Sequence, residues 1–145
     1  MDETPNWHGP VMRLRSENGF YLSIQDDGKV VGTTDGNLDN ILVVISSGEV
    51  SHVRIQGAKS KRYLCFNDSG NLYGEEDKNN DATVFKEVLQ GSYNGYVSKI
   101  HPDWYVGIKK DGNPKNGKRT KWGKKSVKFL PHRNISEADL DQLDT

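Results

Sequence analysis

The 145-residue sequence has a single cysteine, no long apolar run and no helical periodicity before its last residues. Cys65 therefore has no partner for an internal disulfide, and its place between Leu64 and Phe66 favours a buried free thiol. No run approaches the ~20 apolar residues that a transmembrane helix needs. Residues 1–10 are polar and acidic and lack the apolar core of a signal peptide. We expect one domain with no membrane partner, and the compartment stays open.

Motifs for catalysis or metal binding are also lacking. We expect the single cysteine to lie in the core and the carboxylates of residues 75–77 to lie on a solvated loop. Residues 112–118 match the first seven positions of a phosphate-binding loop, but Arg119 stands where Ser or Thr must bind magnesium. We therefore predict a protein that is not an enzyme and holds no cofactor and no metal. The histidines are far apart and lack metal-ligand spacing: His8, His52, His101 and His132.

One pattern occurs three times, 42 residues apart, at residues 20–32, 62–74 and 104–112. Each copy alternates apolar and polar residues and then has a polar residue before glycine, which predicts a strand, a tight turn and a strand. After Gly112 the third copy departs from the pattern, and Asn116 stands where a glycine is expected. The equivalent positions are Tyr21, Tyr63 and Tyr105, and Gly28, Gly70 and Gly112.

Three repeats of about four strands predict an all-β fold, a β-trefoil with a closed six-stranded barrel and a cap of three hairpins. A three-bladed propeller is the alternative, although propellers normally have at least four blades. We predict a flexible lead over residues 1–10, the trefoil over 11–132 and an acidic tail over 133–145. Residues 136–139 resemble a helix capping box, but the segment is short, which favours disorder over a docked helical turn.

The formal net charge is zero, yet the charges are segregated. Residues 109–128 contain nine bases and one acid, Asp111, whereas the tail from residue 137 contains four acids and no base. Gly112, Gly117 and Pro114 fold the basic segment back as a loop, which concentrates its cations on one surface. Such a surface attracts polyanions. Charge alone does not decide between a sulfated glycan and a nucleic acid, and Trp122 is weak support for base stacking.

Several segments, in their order and spacing, resemble a fibroblast growth factor: residues 63–64, 72–74, 84–87, 93–96, 104–112 and 129–131. The resemblance covers about residues 11–132 and implies a β-trefoil, as the repeats do. The third repeat is most similar to the acidic and basic fibroblast growth factors. Residues 13–16 look more like the intracellular homologous factors, which share the fold and act on sodium channels.

The resemblance implies two binding surfaces. Tyr93, Asn94 and Leu130 match the family's receptor-binding residues, whereas Arg15 and His132 replace a tyrosine and a leucine there. Gly91 also replaces an asparagine, and Asn116 stands where a base is common in the glycan site. The implied heparin-binding residues are Asn18, Lys109, Lys110, Lys115, Lys118, Arg119, Lys121 and Lys125.

The function that the resemblance implies is that of a secreted growth factor. It would bind heparan sulfate or heparin, activate a fibroblast growth factor receptor tyrosine kinase and bind no nucleic acid. It would be a monomer, with dimerisation on heparin left open. The alternative is an intracellular homologous factor that acts as a protein-interaction module. A trefoil lectin or protease inhibitor is a weaker third class, since no repeat shows the Gln-x-Trp motif of such lectins.

Overall fold

The computed structural model describes residues 9–143, and within that range the chain forms ten β-strands and one α-helix. A flexible lead was predicted for residues 1–10, and residues 1–8 of it lie outside the described residues. Pro10 already contacts the barrel, because its carbonyl oxygen accepts the N–H of Val44 at 3.0 Å. The elements are β1 Val11–Ser16, β2 Tyr21–Ile24, β3 Val30–Thr33, β4 Leu42–Ser46, β5 His52–Gly57, β6 Tyr63–Phe66, β7 Leu72–Glu75, β8 Phe85–Gln90, β9 Tyr93–Ser98, β10 Phe129–His132 and α1 Glu137–Leu143.

Six of these strands close into a barrel. β1 pairs with β4, and antiparallel pairing continues through β5, β8, β9 and β10 back to β1. Arg15 lies opposite Leu130 where the last strand meets the first. Because the ring is closed, its strands have no free edges. The predicted all-β trefoil is confirmed, with a six-stranded barrel.

The three predicted hairpins form the cap, and a cycle of backbone hydrogen bonds joins them. Each hairpin donates one N–H to a neighbour and accepts one from the other neighbour, at 2.7 Å in all three cases. The third hairpin is one residue longer between its two bonding glycines, so the glycine expected at position 116 lies at 117. The bonds run from Gly74 N to Gly28 O, from Gly117 N to Gly70 O and from Gly32 N to Gly112 O.

The third hairpin is also less regular than the other two. Residues 104–110 were expected to form a full strand, but only two isolated bridges form, Val97 with Tyr105 and Ile108 with Pro114. Pro114 has no backbone N–H and cannot extend a ladder of hydrogen bonds. The described chain therefore has ten strands rather than about twelve, and the missing pair belongs to the third hairpin.

The apolar positions of the repeats fill the barrel and the base of the cap. Leu22, Leu64 and Val106 are 42 residues apart and each fully buried. Cys65 is also fully buried, which confirms a core thiol. Burial raises the pKa of the Cys65 thiol to about 11, so the reactive thiolate is scarce at neutral pH.

A second apolar cluster lies outside the barrel and is covered by the C-terminal segment. Ile41 and Val43 lie outside the main core, whose members include Leu42 and Val44. The partly buried Ile135 and Leu143 pack against this outer cluster. The preference for a disordered tail was therefore wrong for residues 137–143, which form a docked helix. The apolar face that holds the helix lies about a hundred residues earlier in the chain.

Two polar contacts fix α1. The Ser136 hydroxyl accepts the N–H of Asp139 at 3.1 Å, which is the first half of the predicted capping box. Arg13 Nη2 lies 3.4 Å from Asp139 Oδ2, an ion pair that joins the tail to β1. The Ser136 hydroxyl therefore caps the helix, and the Asp139 carboxylate anchors it to the barrel.

Asp139→Asn is expected to lower the free energy of unfolding by up to about 1 kcal/mol, because it removes a partly exposed ion pair. Thermal unfolding should show the loss at low salt and a smaller loss at 1 M salt, where the charges are screened. Asp141→Asn is the matched control, since Asp141 is an exposed carboxylate on the same helix. Equal effects of the two substitutions would contradict the assigned role of Asp139.

Candidate functional sites

The basic segment borders an open groove of about 650 Å³ on the third repeat. Seven of the eight residues implied for heparin binding line it, and the eighth, Lys118, does not. Within residues 9–143, no ion pair joins a base of residues 109–128 to a carboxylate. The groove therefore presents cations that no acid of the described chain neutralises. Its lining residues are Asn18, Lys109, Lys110, Asp111, Lys115, Arg119, Lys121, Lys124, Lys125 and Ser126.

The turn of the third hairpin occupies the one acid of the segment. The Asp111 carboxylate accepts the N–H of Asn113 at 3.0 Å, and this hydrogen bond holds the pKa of Asp111 below its ordinary value. Lys109 N donates to the Asn113 carbonyl oxygen at 2.8 Å and closes the turn. The carboxylate thus shapes the loop, and Lys109 and Lys110, which precede it, stay exposed.

The hydrogen bonds of Asn116 explain why a neutral residue stands among the bases. Its carboxamide oxygen accepts the N–H of Lys118 at 3.0 Å and caps the short turn Gly117–Arg119. Its Nδ2 donates to the Ser69 carbonyl oxygen and to Asn71 Oδ1, both at 2.9 Å. Asn116 therefore fastens the basic loop to the second hairpin, a task that needs both an acceptor and a donor.

Lys118 lies away from the groove. Its Nζ is 5.9 Å from the centroid of the Trp104 ring, within cation–π distance. The His101 ring stacks on the same indole, with ring centroids 3.7 Å apart. The part of Lys118 in glycan binding stays a prediction, and the structure gives its ammonium group an aromatic neighbour instead.

Asn18 reaches the groove from the turn between β1 and β2. Its Nδ2 donates to the Ile108 carbonyl oxygen at 2.9 Å, and its Oδ1 accepts the Ser16 hydroxyl. The bond to Ile108 joins two residues that are 90 positions apart in the chain. The carboxamide is therefore held in place before any ligand arrives.

Trp122 holds the far side of the basic loop. Its indole stacks on Tyr105, with ring centroids 5.7 Å apart and planes at 21°. The same ring lies over Gly95 of β9, where an added methyl group would overlap it. The Gly95 position thus leaves room for the indole, and packing accounts for an aromatic residue among so many lysines.

The residues implied for receptor binding lie on three adjacent strands, β1, β10 and β9. Arg15 is opposite Leu130, and Phe129 beside it is opposite Asn94. The His132 ring lies edge-on to Tyr21, with centroids 5.8 Å apart, and Arg15 Cζ lies 6.0 Å from the Tyr21 ring centroid. The strand register thus brings the residues into one region, the candidate receptor surface: Arg15, Tyr93, Asn94, Leu130 and His132.

Hydrogen bonds hold Asn94 within that surface. Its Nδ2 donates to the Tyr96 hydroxyl at 3.3 Å, and this hydroxyl donates to Glu87 Oε2 at 2.9 Å. Gly91, which replaces an asparagine, has a φ of +61° in the turn between β8 and β9. Sequence reasoning selected neither Tyr21 nor Glu87 for this surface. Their places on this surface follow only from contacts between residues on different strands.

Other kinds of site find no support in the described part of the chain. Residues 9–143 contain no group of three or more His, Cys, Asp or Glu side chains that could hold a metal ion. None of the helices described there is long and apolar enough to cross a membrane.

Comparison with known proteins identifies the family. The family model described as "Fibroblast growth factor" matches residues 10–130. Fibroblast growth factor 1 of Notophthalmus viridescens is 36% identical over 124 residues, which cover 84% of this chain and 94% of that protein. The corresponding proteins of Cynops pyrrhogaster and Xenopus laevis are each 35% identical over 128 residues, 87% of this chain and 86% and 83% of theirs. The chain therefore belongs to the fibroblast growth factor family, whose members are growth factors rather than enzymes.

Proposed function

We propose that this growth factor binds heparan sulfate in the basic groove and engages a fibroblast growth factor receptor tyrosine kinase through the candidate receptor surface. The observation that carries the proposal is the groove itself, in which six lysines and one arginine surround a shared space and form no ion pair with an acid of residues 9–143. Sulfates satisfy guanidinium and ammonium groups by charge-assisted hydrogen bonds.

The shape of the groove suits a chain-like anion. Its bases come from three stretches, residues 109–110, 115–121 and 124–125, so they border a length of surface rather than one point. Asn18 adds a rigid carboxamide at one side. An extended sulfated polymer can contact several such cations together and release its counterions. A single phosphate group would use only a few of them.

The candidate receptor surface suits a protein partner of mixed chemistry. It combines the half-buried Leu130, the aromatic Tyr93 and His132, and the exposed cation Arg15. Aromatic residues and arginine are common among the residues that dominate protein interfaces. Binding of both partners by one molecule raises the effective concentration of receptor near the glycan.

Heparin chromatography tests the glycan half of the proposal. The protein should stay on a heparin column well above physiological salt, because several ion pairs must break together. Elution near physiological salt would reject the groove as a glycan site. Elution from a plain sulfonate column of matched charge density serves as the control for simple cation exchange.

Receptor phosphorylation tests the second half. Protein added to receptor-bearing cells with heparin should raise phosphorylation of a fibroblast growth factor receptor. If the protein binds heparin but stimulates no receptor phosphorylation, the result would favour the intracellular homologous factors, which residues 13–16 resemble. Transport to the cell exterior is part of the proposal and needs its own assay in a cell that makes the protein.

Leu130→Ala is expected to weaken receptor binding about tenfold, because a half-buried apolar side chain at the centre of the surface is lost. Heparin retention should not change, since Leu130 does not line the groove. Surface plasmon resonance on immobilised receptor ectodomain measures the effect. Val50→Ala is the matched control, because Val50 is an apolar residue 91% exposed in another turn.

A further inference from the structure

The threefold repeat places three equivalent positions on the outside of the barrel, and they hold Arg13, Arg54 and Gly95. Each of these residues directly precedes a fully buried strand residue: Leu14, Ile55 and Tyr96. The three positions therefore have the same relation to the core. The three positions differ in whether the chain itself supplies partners for the side chain there.

At the first position, other residues of the chain bind the guanidinium group of Arg13. Arg13 Nε donates to Asn40 Oδ1 at 2.5 Å, where Asn40 is the last residue of the short turn Leu38–Asn40. Arg13 Nη2 donates to the Asn37 carbonyl oxygen at 3.2 Å and pairs with the Asp139 carboxylate at 3.4 Å. The outer side of this guanidinium is thus satisfied by an acid that comes from a distant acidic segment.

At the third position, an aromatic ring of the chain fills the space that a side chain would occupy. Gly95 has no side chain, and the Trp122 indole fills the space above it while it stacks on Tyr105. The apolar Val127 ends the turn that corresponds to Leu38–Asn40. An apolar contact has replaced the polar arrangement of the first repeat.

The second position has only half of the arrangement. Arg54 Nε donates to Thr83 Oγ1 at 2.9 Å, and Thr83 ends the turn Asp81–Thr83 as Asn40 ends its own. Among residues 9–143, no carboxylate pairs with Arg54, and its terminal Nη atoms make no hydrogen bond there. Arg54 lines a cleft of about 430 Å³ that Tyr63, Lys78, Asn79 and Ile45 also line.

Neighbouring acids do not fill this cleft, because they have other partners. The Glu75 carboxylate accepts hydrogen bonds from Asn80 Nδ2 at 2.8 Å and from the Tyr73 hydroxyl at 2.9 Å, and these bonds lower the pKa of Glu75. The Asp77 carboxylate accepts the N–H of Asn79 at 2.9 Å. Within residues 9–143, the guanidinium and ammonium groups of the cleft therefore have no pairing acid and remain available to one from a partner.

We infer that the Arg54 cleft binds a carboxylate side chain from an acidic segment of a partner protein. The first repeat shows the arrangement with its carboxylate in place, supplied by Asp139 from the chain's own acidic helix. In the second repeat, Arg54 supplies the fork of donors, Lys78 a second cation and Ile45 an apolar wall for the methylene of the incoming side chain. The cleft differs from the basic groove, with which it shares no residue.

Nuclear magnetic resonance on the full ¹⁵N-labelled chain tests the inference, with N-acetyl-aspartic acid amide as the probe. The Nε–Hε signal of Arg54 should shift with saturation at a Kd of about 1–10 mM, the range of a single small contact. The Arg13 signal should not shift, because Asp139 already occupies that position. In the Asp139→Asn protein, the Arg13 signal should respond as well.

Two substitutions locate the binding. Arg54→Gln should abolish the saturable shifts of Tyr63 and Asn79, and Lys78→Gln should raise the Kd about threefold, because Lys78 is exposed. Lys86→Gln, an exposed lysine that does not line the cleft, should change nothing. Absence of a saturable shift at Arg54 would overturn the inference. So would equal binding of inorganic sulfate, or equal binding to the Lys78→Gln protein.

Discussion

Replacing Lys115 and Lys125 together with glutamine is expected to lower the affinity for heparin about a hundredfold at physiological salt, at about tenfold for each lost charge-assisted contact. Both lysines line the groove from different stretches of the loop, so one sulfated chain would contact both. The slope of log affinity against log salt should fall by about two, because two fewer counterions are displaced. Isothermal titration with a defined heparin fragment at several salt concentrations measures both quantities.

The matched control for this experiment is the pair Lys29→Gln and Lys86→Gln. It changes the net charge by the same amount, but both lysines are exposed and lie outside the groove. The control protein should keep nearly all of its affinity and its slope. If both double variants lost affinity equally, the attraction would come from total charge, and the groove would have no special part in it.

Gly95→Ala is expected to have the largest effect on the folded state, since the new methyl group and the Trp122 indole cannot share the same space. Overpacking of this kind costs about 1–3 kcal/mol. Thermal unfolding should therefore occur about 3–10 °C lower. Heparin affinity should fall as well, because displacement of the indole moves Lys121 and Lys124, which flank it in the chain.

A double-mutant cycle separates this clash from a general defect of β9. Trp122→Ala removes the obstructing ring, so Gly95→Ala should cost little more in the Trp122→Ala background. Gly36→Ala is the control for glycine substitution, because its methyl group would meet only Arg13, at an ordinary 3.6 Å. Additive costs in the cycle would show that Trp122 does not determine the effect at Gly95.

The sequence predicted the trefoil because each hairpin signal is local. Tyr21, Tyr63 and Tyr105, and the glycines seven residues after each, show their spacing without any knowledge of contacts. The buried thiol of Cys65 followed from its apolar neighbours in the same way. The irregular third hairpin was only partly visible, since Pro114 marks a break but does not show that the turn is one residue longer.

The composition of the groove was predictable because its lysines are close together in the chain. Their directions were not, since Lys118 and Lys121 are three residues apart and face different surroundings. Lys124 lay in the same basic run, and its charge was the available signal. The docking of α1 depends on Ile41 and Val43, far away in sequence, so the local weakness of the helix gave the wrong indication.

The cycle of glycine hydrogen bonds makes the cap cooperative. Because Gly117 donates to Gly70 while Gly112 accepts from Gly32, the loop that carries the lysines is a member of a closed circuit and cannot loosen alone. A polyanion that restrains this loop would therefore also restrain the other two hairpins. Ligand occupancy and resistance to unfolding are thermodynamically linked in such a unit. The cation-rich copy, although the least regular of the three, would then control how readily the whole cap opens.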